Sequence, residues 1–387
     1  TRFESSFDLS PCGTRTYEIM SEPLRRVQNF PPFDIPKFLH NGHWTHDLSG
    51  GKAGSLGILK KFDSKGGAQS IMIKRCPISD AEHAKLILRE INILRTVTHE
   101  NLLQLMGMYF SEESGSKFIY HITIYCGEPL TKKIEEGRYS MEIARQWTRQ
   151  LLLALQHLHM NDVVFRDLDK KNICIDANNK VTLTGFGKSR VIDRDNNMTA
   201  NRGICPYMPI EYIVKWNEPY DAKGDIWAAT TILCEMITGL QLFAGEKVKN
   251  TLKRQMEYCG PVEDSVLAKI QDDNDRRPLQ AFNARCERKD FIAILREQLK
   301  KGRGITDDDI LKHEEPLRAF IDNTLQFDAS IRMSAEEALK HRFIHVPQQP
   351  TQPPAANHDL HTLKSLIDTE LAFDQCLQLL IAQSGQP

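Results

Sequence analysis

The chain has 387 residues, 41% apolar and 26% charged, enough for a large core and about two domains or one bilobal unit. Lys plus Arg number 50 against 51 for Asp plus Glu, so no net field favours nucleic acid or an anionic membrane. Nine cysteines are scattered without a CxxC pair, which fits a reducing compartment. No signal peptide is visible, and the apolar stretch IWAATTILCEMI (226–237) is too short to cross a bilayer. The expectation is a soluble cytoplasmic and/or nuclear chain with protein partners, no nucleic-acid partner and no membrane insertion.

Residues 1–43 read as an irregular N-terminal extension, with FPPFDIPKF as a Pro-punctuated lead-in. A strand-rich block over 44–126 follows. It contains LGILKKF (56–62), a DSKGGAQ turn and SIMIKRC (70–76). DAEHAKLILREINILRTV (80–97) predicts a helix capped by Asp80, with Leu86, Ile87, Ile91 and Leu94 on one face. Two strand-like runs, 102–110 and 118–126, precede the helical pattern of 141–160. From 127 to 346 the pattern is mainly helical, and LREQLKKGRG (295–304) reads as a solvated basic helix end. VPQQPTQPPAAN predicts an extended Pro/Gln-rich linker over 347–358, and 359–387 a C-terminal helical extension packed on the body. Strands first and helices after predict an α+β fold with a β-rich N-lobe and a mainly helical C-lobe. His40, His43 and His46 in HNGHWTH favour a loop over a metal site.

Five short motifs then occur in one order. They are GGKAGSLG (50–57), SIMIK ending at Lys74, FRDLDKKN (165–172), GFG (185–187) and WNEPYDAKGDIW (216–227). This order resembles a protein kinase over about residues 44–345, and within kinases the stress-activated branch of the MAP kinases. TIYCGEPL resembles that branch's hinge, with Thr123 at the gatekeeper position and Cys126-Gly127 beyond it.

Fold does not carry function, so each position implied by the resemblance is weighed separately. Lys74 matches the strand Lys that holds nucleotide phosphates, and Glu90 its ion-pair partner. Nucleotide binding is one reading of them, but with the rest of the site altered a salt bridge that aligns helix and sheet is the expectation. Gly54 and Gly57 match the second and third glycines of the phosphate loop, while Lys52 replaces the first. Met72 stands where the family has Ala on the adenine roof, either crowding the slot or lying to one side. Asp167 and Asn172 match the catalytic base and the second-metal ligand. Phe165 replaces the usual His, and Asp169 replaces the Lys that neutralises the transferring phosphate. Gly185 removes the principal Mg²⁺ carboxylate, and Asn172 alone is poor ligation for a hard octahedral cation. Like charges at ~4 Å cost ~4 kcal/mol at an effective dielectric of about 20, so Asp169 is expected to oppose transfer.

Packing positions match the family more closely. Leu94 and Leu105 match the upper members of a hydrophobic column, and Phe165 and Phe186 the lower ones. Glu211 and Arg332 match a buried ion pair, and Asp225 matches the Asp that braces the catalytic loop. The activation pair reads Thr199-Ala200-Asn201, which excludes dual phosphorylation. Arg166 and Arg202 could meet a phosphate on Thr199, but an unmodified loop Thr is the expectation. Cys205 and Met208 stand where MAP kinases carry arginines, and the acidic docking cluster is absent from HVPQQPTQPP.

The expectation from the chemistry positions is a catalytically inactive, non-enzyme pseudokinase acting as a scaffold or allosteric module. No cofactor is expected beyond weak ATP, with no tight Mg and no metal site. The alternative is a residual Ser/Thr protein kinase that uses Lys74, Asp167 and Asn172 with atypical metal handling.

Overall fold

The computed structural model describes residues 44–46, 52–54, 57–64, 70–113, 115–192, 206–214, 221–245, 248–286, 290–299 and 302–345. The expected N-terminal extension, Pro/Gln-rich linker and C-terminal helix lie outside them, as do His40, His43, Thr199, Arg202 and Cys205.

The first half is one antiparallel sheet. Its strands are β1 (Trp44–His46), β2 (Lys52–Gly54), β3 (Gly57–Ser64), β4 (Ser70–Pro77), β5 (Leu105–Glu113) and β6 (Ser116–Ile124). Their order is β1-β3-β4-β6-β5, with β2 paired to β3. Helix α1 (Ala81–Thr96) crosses between β4 and β5. Asp80 starts it as foreseen, its Oδ1 accepting the His83 N–H at 2.8 Å. The inward face of α1, with Ala84, Ile87 and Ile91, packs on Cys76, Met108 and Ile119 of the sheet.

The runs expected at 102–110 and 118–126 are displaced, for a local reason. Asn101 donates to the Val181 carbonyl at 2.7 Å, and its own carbonyl accepts the Leu183 N–H at 2.8 Å. Residues 101–104 are thereby tied to the second half of the chain, and β5 begins only at Leu105. Strand β6 then starts at Ser116, paired with Glu113 at the end of β5.

The second half is mainly helical, with short paired strands β7 (Glu128–Pro129), β8 (Val163–Val164), β9 (Ile173–Ile175), β10 (Val181–Leu183) and β11 (Arg190–Val191). Its helices are α2 (Leu130–Glu136), α3 (Met141–Met160), α4 (Ile210–Ile213), α5 (Lys223–Thr238), α6 (Val248–Cys259) and α7 (Asp264–Leu267), followed by α8 (Asp273–Asn283), α9 (Phe291–Glu297), α10 (Asp307–Lys312), α11 (Glu314–Thr324) and α12 (Ala335–Lys340). Ser140 caps α3, whose Trp147, Leu151, Leu155 and Leu158 recur at helical spacing and are buried. The apolar stretch 226–237 lies inside α5, which is buried nearly all round. Among the described residues no helix is long and apolar enough to cross a membrane.

The basic run 295–304 departs from expectation, because Arg303 is not solvated. Its guanidinium donates to the carbonyls of Ile134 and Met236 at 2.9 Å each and to the Tyr139 hydroxyl at 2.8 Å. It occupies the space beside Gly239, where an added Cβ would meet Nη1 at 2.5 Å. Arg303 therefore pins the ends of α2 and α5 together.

One apolar cluster joins the two halves. Leu94 of α1 and Phe165 and Phe186 of the second half belong to it, and Leu105 packs against it. The Phe165 and Phe186 rings meet edge to face, centroids 5.3 Å apart at 89°, and both are 0% exposed. Phe186→Ala should lower stability by roughly 3–5 kcal/mol, the range for truncating a buried Phe. Phe165→His should cost less, because the ring remains but brings a polar atom into an apolar stack. Urea denaturation of both variants checks this, and a Phe186→Ala protein as stable as its parent would contradict it.

Candidate functional site

The site lies where β4, α1 and the loops after β8 and β10 converge. Lys74 on β4 faces Glu90 on α1, with Nζ 2.8 Å from Oε2. Glu90 is 2% exposed. Burial pulls the Lys74 pKa down, but the Glu90 carboxylate and Cys76 outweigh it and the net shift is upward. Burial likewise pushes Glu90 up, yet Lys74, His121 and the Phe186 N–H hold it below the usual carboxylate range. The pair is therefore charged on both sides. Glu90 also ties α1 to the turn that begins at Phe186.

The loop 165–172 is fixed from behind by Asp225. Its two carboxylate oxygens accept the Phe165 and Arg166 N–H groups at 2.8 Å each, and His159 Nε2 lies 3.0 Å from Oδ2. Arg166 takes a left-handed backbone, φ 68°, which turns the chain between Phe165 and Asp167. The Asp167 backbone carbonyl accepts from Asn172 Nδ2 at 2.9 Å. The Asp167 carboxylate is paired with Lys188, Nζ to Oδ1 at 3.0 Å.

Asp169 does not stand as the bare opposing charge that its position implies. Its Oδ1 accepts the Lys171 N–H at 3.0 Å, capping the 3-10 turn Lys170–Asn172, and its Oδ2 lies 3.3 Å from Lys171 Nζ. An Asx-type turn with a cation on the second oxygen spends this carboxylate locally. Beside it, Lys170 pairs with buried Glu235 at 2.5 Å, and Glu235 also accepts from Tyr207.

Gly185 has φ 84°, a left-handed conformation natural to glycine. A Cβ built there would lie 2.8 Å from Asn172 Oδ1, so the Asn172 amide fills the space a side chain at 185 would enter. Among the described residues no three His, Cys, Asp or Glu side chains cluster as a metal would need. Asp167 and Asn172 do not by themselves make the oxygen set of a tightly held divalent cation.

The remaining expected positions fall as follows. Gly54 and Gly57 pair across the β2–β3 hairpin. Thr123 is buried on β6 opposite Met72, which is only half-buried rather than driven into the core. Cys126 hydrogen-bonds to Cys174, which with burial raises the Cys126 thiol. Met208 is buried, its carbonyl accepting from Gln255 at 2.7 Å, so its side chain is not presented to a substrate. Glu211 and Arg332 form a buried two-point ion pair at 2.6 and 3.2 Å. Sequence reasoning missed Lys188, Lys171 and His121. Lys188 follows the GFG motif directly, and a search for the nearest surplus cation would have found it.

The protein kinase domain family matches residues 51–344. The mitogen-activated protein kinase HOG1 of Phaeosphaeria nodorum is 27% identical over 331 residues, covering 85% of this chain and 86% of that protein. HOG1 of Alternaria brassicicola is 28% identical with the same coverage. The mitogen-activated protein kinase mpkC of Emericella nidulans is 27% identical, covering 83% of this chain and 72% of that protein. These matches correct the expectation of an inactive, non-enzyme pseudokinase scaffold. The relatives are named as kinases, and nothing in the comparisons points to a scaffold. The physical error was to count Asp169 as a free opposing charge and to overlook Lys188.

His121 on β6 lies opposite Lys74, and its Nε2 is buried without a partner among the described residues. Burial drives its pKa down to about 4, with Lys74 acting in the same sense and Glu90 against it. Between that value and the unfolded 6.5, the unfolded chain binds more protons, so stability falls as pH falls through the window. From about pH 7 to about pH 5 the loss should be about 2 kcal/mol. Urea denaturation of His121→Phe should show a pH slope flatter by that amount; an unchanged slope would contradict it.

Proposed function

Because the chain belongs to the protein kinase family, we propose that it is a Ser/Thr protein kinase of the MAP kinase type with atypical metal handling. The observation that carries this reading is the closed Lys74–Glu90 pair, 2.8 Å, on the same turn-and-loop framework that holds Asp167. The pair also joins α1 to the sheet, but phosphate binding needs a lysine held charged and aimed, and this pair supplies one.

In this proposal Lys74 holds the phosphates of ATP, and Gly54 and Gly57 let the β2–β3 backbone cover them. A substrate Ser or Thr hydroxyl attacks the γ-phosphorus, its proton passes to the Asp167 carboxylate, and the bond to the β-phosphate oxygen breaks to release ADP. Asn172 holds the Asp167 carbonyl and so fixes the base. Divalent metal binds weakly, because residue 185 supplies no carboxylate. ATP affinity is modest for the same reason, and the partners are protein substrates.

Transfer of labelled γ-phosphate to a basic protein substrate tests the reading. The parent should transfer label, and Asp167→Asn should reduce it by roughly 10²–10⁴-fold, the range for removing a general base. Lys74→Met should reduce it as well. Absence of transfer by the parent, or equal label with Asp167→Asn, would overturn the proposal.

A further inference from the structure

Among the described residues Lys188 is the ammonium paired with the Asp167 carboxylate. It ends the 3-10 turn Phe186–Lys188, directly after the glycine that replaces the metal carboxylate. Two contacts hold that turn. Glu90 accepts the Phe186 N–H, and Arg89 donates to the Gly187 carbonyl at 3.4 Å. The turn's last side chain reaches back across the loop, placing Nζ 3.0 Å from Asp167 Oδ1. The Asp167 side chain is 11% exposed and the Lys188 side chain 46%, so the ammonium has one face on the carboxylate and another open to a ligand.

Three other carboxylates nearby already have cations. Glu90 is paired with Lys74, Asp169 with Lys171, and Glu235 with Lys170. A carboxylate at 185 would add a negative charge beside Asn172 Oδ1, and the glycine removes it. Gly185 and Lys188 therefore act on the same site, three residues apart. The site gives up a ligand for a mobile divalent cation and gains a covalently tethered monovalent one.

We propose that Lys188 is the resident cation of the phosphate site, binding nucleotide triphosphate together with Lys74 without a divalent metal. It is a nucleotide-binding residue that stands in for charge a metal would otherwise bring. This rests on the reading of the site as one that binds ATP. The ammonium is already carried to the site by its turn, and a charge-assisted contact to phosphate is among the stronger polar interactions. Binding of triphosphate draws Lys188 partly away from Asp167, which exposes the base at the moment a substrate hydroxyl needs it.

The experiment is fluorescence titration with a methylanthraniloyl-labelled ATP in excess chelator and again with millimolar Mg²⁺. The proteins are the parent, Lys188→Met, Lys188→Arg and Asp167→Asn. The parent should bind in chelator, with an affinity changed by less than about threefold on adding Mg²⁺. Lys188→Met should weaken binding about tenfold or more in chelator, and Lys188→Arg should restore most of it. Asp167→Asn should bind as tightly as the parent or tighter, since its Lys188 is released from a competing carboxylate, even though its transfer is lost. Urea denaturation without nucleotide separates these effects from folding, because a partly exposed ion pair contributes little stability. A parent that binds only with Mg²⁺, or a Lys188→Met protein that binds like the parent, would overturn the inference. Binding without any phosphoryl transfer by the parent would sink the kinase reading and leave the Lys188 assignment standing.

Discussion

The Glu90 carboxylate is the contact on which the rest of the site depends. It holds Lys74 from the sheet at 2.8 Å and accepts the Phe186 N–H from the loop after β10. One buried side chain thus fixes the position of α1, the central strand and the 186–188 turn together. A buried carboxylate is costly unless paired and hydrogen-bonded, so the three parts are held or released as a unit. Phe186 then has one place to go, edge to face on Phe165, and Lys188 is delivered to Asp167.

The apolar column and the polar site support each other through this geometry. Phe165 and Phe186 bury themselves in the core that joins the two halves, while their backbones are held by Asp225 and Glu90. Replacing the family's His by Phe165 makes the stack wholly apolar, which favours the joined arrangement without help from a bound ligand. The pairing of Lys74 with Glu90 and of Lys188 with Asp167 is therefore built into the fold.

Much of this was legible in the sequence because the motifs sit at fixed intervals on elements whose patterns are strong. Helix α1 with its Asp80 cap and the α3 repeat follow from residue type and spacing, whereas the Lys74–Glu90 pair and the Phe165–Phe186 stack were legible only through the resemblance to a protein kinase. What escaped were charges whose partners are chosen by the fold. Asp169 reads in sequence as a reversed charge facing the phosphate, yet its carboxylate caps its own turn and meets Lys171. Lys188 is next to GFG in the chain but acts on Asp167, 21 residues earlier. Arg303 reads as a solvated helix end, and is instead threaded between α2 and α5. Taken one position at a time, the lost charges exceed the real change, because Asp169 and Asp167 each have a lysine beside them.

The central claim, that one carboxylate organises the site, predicts a backbone amide protected without any ligand. Hydrogen exchange measured at the Phe186 amide in the parent and in Glu90→Gln tests it most directly. The parent amide should exchange as slowly as amides of the buried helix α5, and the Glu90→Gln amide at least about tenfold faster while α5 is unchanged. Equal protection of Phe186 in both proteins would contradict the account, because the turn that carries Lys188 would then be held by something other than Glu90.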